Sequence, residues 1–167
     1  MIATAIPAGF AAGLFGIGGG LVTVPILFYI FSFSGIETAY VMHLAVGTSF
    51  GIIIPTSTVS VLTHHQHKAV DFSIVKGFGF FVATGVILGT IFAASLETKP
   101  LILFFTIIVY VLAFYLLFLK EKKTNIEIKM GLVSKAISGI VSGFISAPMG
   151  IGGAVMNVPI LKFFGYP

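Results

Sequence analysis

Residues 9–27 read GFAAGLFGIGGGLVTVPIL, and residues 143–161 read GFISAPMGIGGAVMNVPIL. The two blocks lie 134 positions apart and are identical at 10 of their 19 positions. A repeat at this distance indicates duplication of a unit that contains several helices. We therefore divide the chain into a first repeat unit, residues 1–134, and the start of a second unit, residues 135–167. We expect the second unit to be incomplete, because Pro167 already corresponds to Phe33 of the first.

The composition is that of a membrane protein. Hydrophobic residues make up 57% of the chain and charged residues 8%, whereas soluble domains carry about 25% charged residues. A helix needs about 20 apolar residues to cross the hydrocarbon core. Five segments without Asp, Glu, Lys or Arg are long enough: 1–36, 38–67, 77–96, 100–119 and 136–161. We expect an all-α, polytopic helix bundle in the lipid bilayer, with membrane segments near 4–31, 39–63, 73–95, 100–119 and 133–163.

The charge of the chain concerns orientation in the membrane. The net charge of +4 comes from nine lysines and no arginine, and in a membrane protein such a balance indicates orientation rather than nucleic-acid binding. The loops at 64–72 and 120–132 and their flanks hold seven lysines, against Lys99 alone on the opposite side. The positive-inside rule places both loops in the cytoplasm. We expect a multi-pass protein of a cell membrane, such as the bacterial inner membrane.

The first glycine block predicts a broken helix. Four glycines lie among five consecutive residues near the middle of an uncharged 36-residue segment, and Pro25 follows them. Each glycine inside a helix is unfavourable by about 1 kcal/mol relative to alanine. Broken backbone within a membrane is tolerated only where it is buried in protein or lines a polar cavity. Whether this segment crosses the membrane or re-enters it stays open at the level of the sequence.

Corresponding breaks in two repeats indicate a binding site of a transporter. A helix that starts after a break presents unpaired N–H groups, which suit an anion. Thr48 and Ser49 are neutral donors in the next segment; alternatively, they bond to the preceding turn of their own helix. Both blocks could also be tight packing elbows. The predicted substrate-binding residues are Gly16, Gly18, Gly19, Gly20, Thr48, Ser49, Gly150, Gly152, Gly153 and Asn157.

Other polar and small residues carry weaker signals. Gly85 and Gly89 have the spacing that lets two helices pack closely. His43 is an ionisable residue near a segment end, which fits a transport role or an interfacial position. Three histidines at 64, 65 and 67 are better explained as membrane-surface residues than as a metal site. The sequence shows no paired carboxylates, catalytic triad or phosphate-binding loop, so we expect no enzyme activity, no metal and no cofactor.

These motifs resemble the TauE/SafE family of sulfite exporters and probable membrane transporters. The resemblance is carried by both glycine blocks, by HLAVGTSFGI at 43–52 and by HHQHKAVDF at 64–72. It implies a helix bundle with internal repeats that moves small sulfur-containing or carboxylate anions. The second block departs from the first at Pro148, Ala154 and Asn157, where the first has leucine, glycine and threonine.

We therefore expect a transporter, or part of one, that exports small anions. No acidic residue lies between positions 38 and 70, so a carboxylate proton relay has no candidate there. A negative-inside potential would favour anion export by about 2.3 kcal/mol per charge per 100 mV. The alternative is a non-transporting scaffold or a truncated remnant. Either protein could need a second half-chain or another copy of itself.

Overall fold

The structure, a computed structural model, describes residues 19–67, 72–118, 131–153, 156–157 and 160. In this part of the chain five helices follow one another, and no strand is present. The helices are α1 (Gly20–Phe33), α2 (Val41–Gln66), α3 (Phe72–Ser95), α4 (Thr98–Phe118) and α5 (Leu132–Ser146). The predicted all-α class is confirmed.

Three of the helices are long and apolar enough to cross a membrane: α2, α3 and α4. They correspond to the segments predicted at 39–63, 73–95 and 100–119. With 14 and 15 residues, α1 and α5 are about 21 and 22 Å long, shorter than the hydrocarbon core of about 30 Å. Residues 1–18 lie outside the described residues, so the path of the first membrane segment stays a prediction.

Two prolines lie inside helices without ending them. Pro25 and Pro55 both lie inside helices, in α1 and α2. We expected Pro25 to contribute to the break, and this was wrong: α1 begins at Gly20 and continues through it. A proline removes one intrahelical hydrogen bond, whereas a run of glycines removes side chains over a whole turn. The boundary of α1 therefore follows the glycines.

Helices α3 and α5 run parallel and pack through glycines on both sides. The contact residues are Gly85 and Gly89 on α3, and Gly139 and Gly143 on α5. A Cβ at Gly85 would lie 2.9 Å from the Cα of Ile140, and one at Gly143 would lie 2.8 Å from the backbone nitrogen of Val86. Side chains at these positions would hold the helices apart. The predicted packing role of Gly85 and Gly89 is confirmed.

A second packing centre joins α1, α2, the end of α3 and α4 to the segment that follows α5. Met149 and Ile151, just after α5, are 0% and 2% exposed. The buried apolar residues of this cluster are Val24, Leu27, Met42, Ala45, Val46, Ala93, Leu101, Phe105, Leu112, Met149 and Ile151. The outer faces of the long helices remain apolar, and Tyr110 and Leu117, for example, are 73% and 79% exposed. Such faces suit contact with lipid.

Candidate functional site

Helix α1 begins at Gly20, the last glycine of the first run. Its N-cap is Gly19, which has no side chain with which to cap the helix. The carbonyl oxygen of Gly19 accepts two hydrogen bonds from Thr23, from the backbone N–H and from the hydroxyl, each at 2.9 Å. The new helix predicted after the first glycines is therefore present, and a threonine hydroxyl supports its first turn.

The second block forms a turn where α5 ends. The N–H of Gly150 donates to the carbonyl oxygen of Ala147 at 3.1 Å, and the N–H of Ile151 donates to the backbone carbonyl oxygen of Ser146 at 3.2 Å. Gly150 and Gly153 have φ angles of 63° and 75°, a left-handed conformation that glycine adopts without steric penalty. Helical backbone resumes at residues 156–157. The predicted interruption of the second block is confirmed.

The two glycine blocks meet each other backbone to backbone. A Cβ at Gly20 would overlap the carbonyl oxygen of Gly150 and lie 2.8 Å from the Cα of Ile151. A Cβ at Gly150 would lie 3.0 Å from the Cγ2 of Val24. The absence of a side chain at position 20 is what permits this approach. We call the contact of Gly20 with Gly150–Ile151 the glycine junction.

Two hydroxyls connect the glycine junction to α2. Ser49 is fully buried and donates to the carbonyl oxygen of Gly150 at 2.9 Å. Its oxygen also lies 3.1 Å from the hydroxyl oxygen of Thr23, which itself bonds to Gly19. The two hydroxyls make three contacts: Thr23 with Gly19, Thr23 with Ser49, and Ser49 with Gly150. Each hydroxyl has a single hydrogen to donate, so only two hydrogens are available for these three contacts. A ligand could accept from Ser49 or Thr23 only by replacing one of their present acceptors.

The junction lies inside the depth of the membrane. With 26 residues, α2 is about 39 Å long, and Ser49 lies about 12 Å from its start. A helix of that length extends past both edges of a hydrocarbon core of about 30 Å. Ser49, and with it the glycine junction, therefore lies several ångströms below the membrane surface on the side where α2 begins.

The structure brings some predicted site residues together and separates others. Gly20, Ser49 and Gly150 form the junction, whereas Thr48 lies on the exposed side of α2. A Cβ at Gly19 would meet no atom within 4 Å, and one at Gly152 would lie 3.3 Å from Ile53. Gly16 and Gly18 lie outside the described residues. For all ten positions the role in substrate binding stays a prediction.

A separate polar group lies beside the second break. Ser142 is fully buried and donates to the side-chain oxygen of Asn157. The neighbouring Ser146 is 2% exposed, and its hydroxyl has no hydrogen-bond partner in the part of the chain that the structure describes. Our sequence reasoning named Asn157 but missed Thr23, Ser142 and Ser146. The available signal was the four-residue spacing of the serines, which places both on one face of α5.

A cavity of about 820 Å³ opens near the start of α2. His43 lines it, with Glu97 from the connection between α3 and α4 and Lys99 from the first turn of α4. One ring nitrogen of His43, Nε2, lies 3.2 Å from the carbonyl oxygen of Ala93, while the buried Nδ1 has no partner among the described residues. His43 thus belongs to the first turn of α2 and to a cavity on the side opposite the lysine-rich loops.

Metal ligands are not grouped in the described chain. Within residues 19–67, 72–118 and 131–153, no three His, Cys, Asp or Glu side chains lie close enough to hold a metal ion. His67, at the end of α2, has its Nδ1 2.8 Å from the carbonyl oxygen of Thr63. The polar contacts of the described site are therefore made by hydroxyl, amide and backbone groups.

Similarity to known proteins agrees with this architecture. The sequence profile described as sulfite exporter TauE/SafE matches residues 1–167. The chain belongs to this family. TauE/SafE proteins are membrane transporters, and the three apolar helices fit a location in a membrane.

Several TauE/SafE relatives are named probable membrane transporter proteins. One from Haemophilus influenzae is 35% identical over 159 residues, covering 95% of this chain and 60% of the relative. One from Methanocaldococcus jannaschii is 28% identical over 160 residues, covering 95% of this chain and 59% of the relative. One from Xylella fastidiosa is 36% identical over 160 residues, covering 93% of this chain and 59% of the relative. The chain thus spans about 60% of the length of these relatives. No solved structure matches it significantly.

Proposed function

We propose that this chain forms part of a transporter that exports small sulfur-containing or carboxylate anions across a cell membrane. The observation that carries the proposal is the glycine junction, where the start of α1 meets the turn that follows α5. Such paired breaks are typical of transporter binding sites. The family description, sulfite exporter, supports an oxygen-rich anion as the substrate.

The chemistry around the junction suits an anion better than a cation. Along α1 and α2 the described residues carry one acidic side chain, Glu37, and it lies in the connection between the helices. An anion at Ser49 would therefore meet no carboxylate within the membrane. A negative-inside potential would favour its export by about 2.3 kcal/mol per charge per 100 mV. We propose that this potential drives transport, and that the cavity beside His43 is the exit.

The chain spans about 60% of the length of its relatives. We propose that a continuation, a second half-chain or another copy of the chain completes the site. A scaffold without transport activity is the competing hypothesis, and it predicts no flux in any of these assemblies.

The test is anion flux in proteoliposomes with an imposed membrane potential. The purified protein, in its natural assembly, is reconstituted into vesicles loaded with sulfite, sulfate or acetate. The efflux of the anion is measured at membrane potentials of 0 and 100 mV. We expect efflux of at least one anion to accelerate when its own compartment is made negative. Protein-free vesicles are the control. Flux that does not change with the membrane potential would contradict the proposed driving force. The absence of flux for all three anions would contradict the proposed transport function.

A further inference from the structure

The polar group beside the second break has the features of a ligand subsite. Resting on the proposed function, we propose that Ser146 and Asn157, positioned by Ser142, donate hydrogen bonds to an oxygen of the transported oxyanion. We call these three residues the serine–asparagine cradle. It is distinct from the glycine junction, where both hydroxyl hydrogens are already shared among backbone carbonyls and each other.

The first step of the argument is the orientation of the asparagine. Ser142 is fully buried on α5 and donates its hydroxyl hydrogen to the Oδ1 of Asn157. This bond occupies the acceptor side of the amide and leaves its NH₂ group, with two hydrogens, directed elsewhere. Ser142 thus acts as a positioning residue that presents Asn157 as a donor.

The second step is the gap into which the donors face. Gly153 has a φ of 75° and carries no side chain. A Cβ at this position would lie 3.1 Å from the Nδ2 of Asn157 and 4.0 Å from the Oγ of Ser146. Both polar atoms therefore border the same small space, which the missing side chain leaves open. Glycine here suits the left-handed backbone conformation and leaves the space between the two donors free of a side chain.

The third step is the unused hydroxyl of Ser146. This residue is 2% exposed, and its oxygen has no partner within the described chain. A buried hydroxyl without a hydrogen-bond partner is unfavourable, and alanine at the same position would avoid this cost. A bound oxygen acceptor would satisfy the hydroxyl. The cost in the empty state is therefore a feature expected of a binding residue.

The donor set selects the class of ligand. Asn157 and Ser146 together offer three polar hydrogens to one gap, and an oxyanion supplies several acceptor oxygens. Residues 136–161 contain no Asp or Glu, so a cation would meet no opposite charge from this segment. The first repeat has Ala8, Ala12 and Thr23 at the corresponding positions. The cradle therefore occurs once in the pair of repeats, as a single substrate site requires.

The main test separates binding from stability. The protein in its natural assembly is purified in detergent, and its affinity for sulfite, sulfate and acetate is measured by calorimetry beside its thermal stability. For Ser146→Ala we expect five- to tenfold weaker anion binding, with thermal stability unchanged or higher without ligand. The matched control is Ser138→Ala, one turn before Ser142, because Ser138 bonds to the backbone of Ser134. It should leave affinity unchanged.

A second variant tests the asparagine. Asn157→Asp keeps the shape but replaces two donor hydrogens by a negative charge, so anion affinity should fall more than tenfold. Unchanged anion affinity in both variants, with higher stability for Ser146→Ala, would identify the unused hydroxyl as a packing defect and overturn the cradle. Binding of Na⁺ alone that Ser146→Ala abolishes would also overturn it, because the site would then hold a cation.

The outcomes distinguish the cradle from the proposed function. Potential-driven flux that persists with unchanged affinity in Ser146→Ala would overturn the cradle and leave transport standing. Anion binding that depends on Ser146, in a protein that shows no flux, would overturn transport and support the cradle. A wild-type protein that binds none of the three anions would contradict both.

Discussion

The α3–α5 interface and the glycine junction both depend on glycine, but for different reasons. At the interface the glycines lie within two continuous helices, whose backbone hydrogen bonds are already made. At the junction α1 begins and α5 has ended. The carbonyl oxygen of Gly19 already accepts the first backbone hydrogen bonds of α1, to which the hydroxyl of Thr23 adds one more. The carbonyl oxygen of Gly150 lies beyond the end of α5 and accepts a hydrogen bond from the hydroxyl of Ser49. At the interface the close approach packs two helices, whereas at the junction it also brings a side-chain hydroxyl onto backbone beyond the end of a helix, which is the basis of the proposed site.

The largest expected effect is at the α3–α5 interface, with Gly85→Ala. The added methyl group would overlap the backbone of Ile140, so the two helices would have to separate along their close contact. We expect the free energy of unfolding in detergent to fall by about 3 kcal/mol, the upper range for overpacking. The fraction that still folds should transport normally. Folded protein without transport would show that this interface is part of the site.

The control for that substitution lies on the same helix. A Cβ at Gly79 would meet no atom within 4 Å. Gly79→Ala should therefore leave the stability unchanged or raise it by up to about 1 kcal/mol, the helix preference of alanine over glycine. A loss similar to that of Gly85→Ala would mean that glycine content, rather than the contact, decides stability.

An intermediate effect is expected at the glycine junction, with Gly20→Ala. A Cβ here would overlap the carbonyl oxygen of Gly150, but α1 is short and can move as a unit. We expect a loss of stability of about 2 kcal/mol, together with loss of transport in the folded fraction. Gly51→Ala is the control, since its Cβ would have open space. Flux per folded molecule equal to wild type would contradict the role of the junction.

The smallest effect should follow Ser49→Ala. The variant removes the donor to the carbonyl oxygen of Gly150 but leaves Thr23 able to bond to Gly19. We expect a loss of about 1 kcal/mol, measured by thermal unfolding in detergent. Thr58→Ala is the matched control, because the exposed Thr58 bonds only to the backbone of its own helix at Ile54, and it should be neutral. Equal losses of stability in both variants would show that the hydrogen bond of Ser49 to Gly150 does not stabilise the junction.

The length of the uncharged segments and the glycine runs predicted most of the helix positions. Uncharged length predicted α2, α3 and α4 to within a few residues, because crossing a bilayer imposes a minimum apolar length. The glycine runs predicted where α1 begins and where the second block is interrupted. Both signals arise from local chemistry and need no knowledge of neighbouring helices.

The partners of individual residues could not be predicted in the same way. Gly47 and Gly51 have the same spacing as Gly85 and Gly89, yet a Cβ at either would meet nothing within 4 Å. Likewise, Thr48 and Ser49 are adjacent in the sequence, but only Ser49 faces the junction. These differences depend on how each helix is rotated against its neighbours, and tertiary packing sets that rotation.

The parallel packing of α3 and α5 has a consequence for the order of assembly during synthesis. Gly143 follows Gly85 by 58 residues, which a ribosome adds in roughly 3 to 12 s. During that interval α3 is inserted without the helix that fills its glycine face. The first repeat therefore cannot reach its final packing until the second repeat has begun to emerge. Biogenesis of this protein is a joint event of the two repeats rather than two successive ones.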